Sequence, residues 1–146
     1  MVLSDGAIKE EIQKGNITIT GFQASNLGPC TYDMTLGSKF QMYRGGILDA
    51  KMKNTIDEFE VGIEGVLLEP GELYLYTCNE TIGLKGNLCA TVMGKSSLGR
   101  LGLDIHICAG FIDPGFHGSL VLEMRTIYPL RVYPGMKICQ IKFERL

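Results

Sequence analysis

Residues 109–124 read Ala109-Gly110-Phe111-Ile112-Asp113-Pro114-Gly115-Phe116-His117-Gly118-Ser119-Leu120-Val121-Leu122-Glu123-Met124, a tight turn running into a strand. Proline presets φ at the second turn position, glycine accepts a positive φ at the third, and the apolar run that follows suits a pleated surface. The same arrangement recurs in Glu69-Pro70-Gly71-Glu72, before Leu73–Tyr76, and in Tyr133-Pro134-Gly135-Met136, before Lys137–Phe143. As hairpin punctuation these turns predict an all-β chain. Short alternating or apolar runs elsewhere, such as Ile17–Ile19 and Phe59–Val61, agree, as do nineteen glycines and five prolines. The expectation is a mainly β protein, a distorted barrel or jelly-roll of short, largely antiparallel strands.

The amino terminus differs. Ser4 or Asp5 can cap a short helix, Ile8 and Ile12 lie one turn apart on one face, and Gly15 stops it. The final run, Met136–Phe143, alternates as a strand and lies close to Leu146. It must be paired or covered, which makes it a candidate for an intersubunit contact.

At 146 residues the chain has the size of one domain, so 1–146 is expected to form a single unit. Hydrophobic residues at 45% and charged ones at 21% predict a packed core and argue against disorder. A net charge of -2 supplies no basic field for a nucleic-acid backbone. No apolar run approaches the roughly 20 residues of a membrane helix, and Met1–Glu11 lacks the regions of a signal peptide, so a cytoplasmic protein is expected. Cys30, Cys78, Cys89, Cys108 and Cys139 are odd in number and form no CxxC pair, and only two histidines accompany them. A disulfide framework and a zinc site are both disfavoured, and most of the thiols read as small core hydrophobes.

The chemistry concentrates in Gly94–Asp113, GKSSLGRLGLDIHICAGFID. Glycines let backbone N–H groups approach an anion, while Lys95, Ser96, Ser97 and Arg100 supply donors for a polyphosphate. The order is not that of a Walker loop, and a glycine-rich surface loop is the plainer alternative. Asp113 can cap its own turn or accept from a ligand hydroxyl. In Leu120–Met124 apolar residues fall on both parities, which predicts burial on both faces and makes Glu123 a costly carboxylate unless it is paired. A structural ion pair with Arg100 or Arg125 and a proton-transfer role both account for it.

The segments GKSSLGRLGL, AGFIDPGF, GSLVLE and PGMKICQIKF, with the early Gly28–Gly37 strand carrying Asp33 and the Leu3-Ser4-Asp5 start, resemble the dCTP deaminase family of the dUTPase-like superfamily. The resemblance covers nearly the whole chain. It implies that Glu123 deprotonates a water for attack on C4 of cytosine and then passes the proton to the departing ammonia, with dUTP as product. It implies that Ser96 and Arg100 position that water and Glu123, and that the backbone at Ala109 reads the cytosine edge. Asp113 would hold the deoxyribose 3'-hydroxyl, and Phe116 would crowd a ribose 2'-hydroxyl. No metal takes part in the chemical step, and Mg2+ enters only with the substrate triphosphate. The implied assembly is a homotrimer with sites shared between subunits, binding dCTP, with dUTP and dTTP as further candidate ligands, and without nucleic acid or membrane.

Three departures accompany the resemblance. Lys95 stands where the family has arginine, keeping the charge and losing the bidentate fork. Met124-Arg125-Thr126 replaces the usual strand ending. The carboxy-terminal arm that closes over the triphosphate in this superfamily has no counterpart up to Leu146, so closure is expected from neighbouring subunits or from another loop. Two alternative readings follow: a dUTP diphosphatase or bifunctional deaminase-diphosphatase, from Asp113, and a non-catalytic nucleotide-binding trimer, from Lys95 and the arm.

Overall fold

A computed structural model describes residues 1–146. Helix α1, Asp5–Gln13, begins where the sequence predicts, with the Ser4 hydroxyl accepting the Ala7 N–H at 3.3 Å, and gives way at Gly15, whose φ is +74°. Ile8 is fully buried and Ile12 packs against the core. The rest is β: β1 Ile17–Ile19, β2 Thr31–Tyr43, β3 Ile56–Glu60, β4 Val66–Leu68, β5 Tyr74–Leu84 and β6 Leu88–Gly94. After the single helical turn α2, Ser96–Gly99, come β7 Leu103–Asp104, β8 Phe111–Ile112, β9 His117–Thr126, β10 Leu130–Val132 and β11 Lys137–Arg145.

Nine strands form one curled sheet, β7-β9-β5-β2-β11-β6-β8, with β1 added on β5 and β3 on β2, and every pairing is antiparallel. β4 and β10 make a separate ribbon. The three Pro-Gly turns take the predicted conformation: φ is +87° at Gly71, +87° at Gly115 and +83° at Gly135. Curl comes from register shifts between β2 and β5 around Leu36–Phe40 and between β5 and β9 around Thr77–Thr81. Gly37 sits in the first of these, where a Cβ would lie 2.5 Å from the Thr77 carbonyl oxygen.

The buried apolar side chains form one contiguous cluster from Leu3 to Phe143, lying inside the curl and under α1. No helix is long and apolar enough to cross a membrane. β11 is paired, as expected, and within the chain itself, with β2 on one side and β6 on the other, which places it at the centre of the sheet. Among the cysteines Cys78, Cys89 and Cys139 are buried as predicted, whereas Cys30 and Cys108 are exposed.

Two buried carboxylates, Glu11 and Glu80, escaped the sequence. Glu11 turns under α1, accepting from Asn16 Nδ2 at 2.7 Å and from the Arg145 guanidinium, with Lys14 Nζ at 3.5 Å. The Asn16 hydrogen bond, aided by Lys14 and Arg145, holds its carboxyl below the usual range against the opposing cost of burial. A lowered folded pKa contributes stability that is complete above the unfolded value of 4.5 and is lost as pH falls from there through the folded value. Glu11→Ala strands Asn16 and Arg145 and is expected to destabilise the chain by about 1–3 kcal/mol at pH 7, with the gap from wild type shrinking in acid when melting is followed across pH. Gly37→Ala is expected to cost about 1–3 kcal/mol by forcing Thr77 aside, read as a lower denaturation midpoint at unchanged m.

Candidate active site

The site is built around β9. Leu120, Leu122 and Met124 point into the core, while Val121, Glu123 and Arg125 lie on the opposite face. The expectation of burial on both faces is therefore corrected. Val121 is half exposed and Glu123 half-buried, because the chain lays no second layer over this face and β7 pairs only with its end, at Arg125 and Thr126.

What covers Glu123 is the loop between β7 and β8. The Cys108 N–H donates to Glu123 Oε2 at 3.1 Å, with the Cys108 thiol 3.7 Å from the same oxygen. The Glu123 N–H donates to His106 Nδ1 at 3.3 Å, which leaves the imidazole proton on Nε2. No cation pairs with Glu123. Arg125 bonds Asp104 at 3.1 Å and Arg100 is exposed without an ion-pair partner, so the simple structural ion pair does not form.

The same loop carries the chain's one non-glycine residue with positive φ, Ala109 at +56°. Such a conformation costs of order 1–3 kcal/mol and persists where the surroundings impose it, commonly at functional sites. Here the next residue imposes it. The Gly110 carbonyl accepts the Val92 N–H at 2.7 Å, and a Cβ at Gly110 would lie 3.2 Å from the Val92 oxygen. The Ala109 N–H and C=O are left without a partner in the chain and are available to a ligand edge.

Ala109, His106, Asp113 and Phe116 line one cleft of about 290 Å³, walled by Phe111, Leu120 and Val121. Asp113 is exposed at the turn, its carbonyl accepting the Phe116 N–H at 3.2 Å, and the Phe116 ring packs against the core. The cleft is apolar with a few polar groups at its rim, as small-molecule sites usually are. Glu123 is not among the residues that line it, but is bonded to His106, which is, and to Cys108, which precedes Ala109. A larger cleft of about 540 Å³, beside Gly99 and Ile107, is lined by Glu72, Asp104 and Arg125 and by none of the catalytic or nucleotide-binding candidates from sequence.

The structure thus brings Ala109, Asp113 and Phe116 together, with Glu123 fastened to the same loop at Cys108, and keeps the other group apart. Ser96, Ser97 and Arg100 stand exposed on and after α2, outside the cleft. Lys95 turns inward, its Nζ 2.6 Å from Asp33 Oδ1. Sequence reasoning missed the roles of His106 and Cys108; their only signal was their position in the run between Gly102 and Gly110. No group of three or more His, Cys, Asp or Glu side chains is arranged to hold a metal ion.

With this geometry in view, the similarities are informative. The family model described as dCTP deaminase-like matches residues 2–146. The dUMP-forming dCTP deaminase of Coprothermobacter proteolyticus is 42% identical over 154 residues, covering 100% of this chain and 83% of that protein. The one from Hathewaya histolytica is 40% identical over 146 residues, covering 100% and 84%. The crystal structure of 2'-deoxycytidine 5'-triphosphate deaminase from Agrobacterium tumefaciens superposes with a TM-score of 0.79 at 24% identity. It covers 99% of this chain, which spans about half of that one, at 47%. The dUTPase of S. aureus phage phi11 shares the fold at a TM-score of 0.57 and 13% identity, over 89% of this chain and 90% of that one. On these grounds the chain belongs to the dCTP deaminase-like family.

Proposed function

We propose that the chain is a hydrolytic dCTP deaminase with Glu123 as its proton-transfer residue. The observation that carries this reading is the Glu123 carboxylate held by the Cys108 N–H beside a cleft lined by Ala109, Asp113 and Phe116. A carboxylate with one oxygen engaged and the other unbonded in the chain can take a proton from water as it attacks C4, then return it to the leaving ammonia. The free N–H and C=O of Ala109 match the donor and acceptor on the cytosine edge, Asp113 accepts from the 3'-hydroxyl, and Phe116 limits space at C2'. Ser96 and Arg100 orient the water and Glu123, with Ser97 at the phosphates. Mg2+ arrives with the triphosphate as Mg·dCTP and screens its charge.

The names of the relatives favour one form of the reaction. Both are dUMP-forming, which supports the bifunctional alternative over release of dUTP as the final product. In balance, dCTP and two waters give dUMP, ammonia and diphosphate, deamination consuming one water and cleavage between the α- and β-phosphorus the other. Incubation of the chain with Mg·dCTP is expected to release ammonia and dUMP in equal amounts; tight nucleotide binding without product would instead support a non-catalytic trimer. Glu123→Gln is expected to lower deamination by about 10²–10⁴-fold, with hydrolysis of added dUTP retained if the two steps use separate groups.

Because Ser96, Ser97 and Arg100 lie outside the Glu123 cleft, the reading further requires neighbouring subunits to complete each site. The exposed apolar side chains Leu101, Ile107, Val121, Ile127 and Tyr128 supply material for such contacts. We take 1–146 as one domain of a cytoplasmic homotrimer. Light scattering is expected to give close to three times the 16.0 kDa chain mass, and a monomer would contradict the shared site.

A further inference from the structure

We infer that Asp33 is a positioning residue for the Ser96–Arg100 turn, acting through Lys95, and that Lys95 in this chain is a tether rather than a phosphate ligand. The inference rests on the deaminase reading for the role of the turn, but the tether itself stands on separate contacts.

A single helical turn is unstable alone, since its few hydrogen bonds do not offset the cost of ordering it. Lys95 closes this one by its main chain, its carbonyl accepting from Leu98 N–H at 3.0 Å and Gly99 N–H at 2.9 Å. Its side chain runs the other way. Nζ meets Asp33 Oδ1 at 2.6 Å, and the two side chains are only 23% and 17% exposed. Asp33 lies in β2 opposite Gln140 of β11, and Gln140 Nε2 donates to the Gly94 carbonyl at 3.0 Å. The two residues leading into the turn are therefore fastened to adjoining positions on the two central strands, one by charge and one by an amide.

The charges favour keeping it so. Lys137 Nζ lies 3.4 Å from the second oxygen of Asp33 and donates to the Ser25 carbonyl at 3.0 Å. Drawing Lys95 away to a phosphate would leave a mostly buried carboxylate facing the half-exposed Lys137 alone, next to an arriving polyanion. Removing one partner of a buried pair is costly, because the remaining charge loses its compensation. Phosphate recognition by this turn then falls to Ser97, which is exposed and unpaired, and Ser96 and Arg100 keep their place at the water and Glu123.

The test compares the full chain with Lys95→Met, Asp33→Asn, their double variant and Lys95→Arg, on dCTP and on deoxycytidine monophosphate. A tether predicts that each single variant lowers kcat about 10–100-fold on both substrates with KM for dCTP changed less than about threefold. The double variant should be no worse than the worse single one, and Lys95→Arg should restore most of kcat. A large rise in KM for dCTP alone in Lys95→Met, or a lower KM in Asp33→Asn as the freed lysine engages phosphate, overturns the inference. If wild type binds dCTP without turning it over, the deaminase reading fails while calorimetry still decides this one: dCTP affinity within about threefold of wild type in Lys95→Met supports the tether, and a larger loss overturns it. Additive effects of the two single variants on the melting temperature also overturn it, whether or not any nucleotide is bound.

Discussion

Strand β9 can present Glu123 on only one face, because Leu120, Leu122 and Met124 are committed to the core and successive side chains in a strand alternate. A slip of one residue against β5 would bury Glu123 and expose three apolar side chains. The pairing with β5, continuous from Tyr74↔Met124 to Thr77↔Val121, excludes that slip. The cleft walls, the loop over Glu123 and the position of the Asp113 turn all follow from this register.

Around that strand the charges are already sorted before a ligand arrives. Arg125 is occupied by Asp104 and Lys95 by Asp33, so neither neutralises Glu123. Its carboxylate is instead met by a backbone N–H and a thiol. A donor that carries no full charge orients a carboxylate without fixing it as a permanent ion-pair partner, which suits the proton-transfer role proposed for Glu123. The strained Ala109 completes this economy: the bond between Gly110 and Val92 holds the backbone in a left-handed conformation that frees a donor and an acceptor at the cleft.

Much of this was legible in the chain. The helix at Ser4–Gln13, the three Pro-Gly turns and the all-β character follow from local chemistry, since capping, positive φ and fixed proline φ act over a few residues. Glu123, Asp113, Phe116 and Ala109 were also recognisable, because they fall in one contiguous run whose motifs resemble a family to which the chain belongs.

What local sequence left open concerned contacts between distant segments. Apolar residues on both parities of Leu120–Met124 suggested two buried faces, yet only the sheet order shows that one face lacks a covering layer. The last strand had to be paired or covered, but only the fold shows that β2 and β6 of the same chain do it, since strand order depends on pairing across long stretches of sequence. Sequence offered Lys95 as a phosphate donor but could not show that β2 brings Asp33 within 2.6 Å of its Nζ. By itself, then, the sequence determined the strand and turn chemistry and singled out Glu123 as the candidate carboxylate, which are properties of short segments. The tertiary structure alone decided which charges pair, which face of β9 stays open and what holds Glu123, because those depend on residues made neighbours only by the folded sheet.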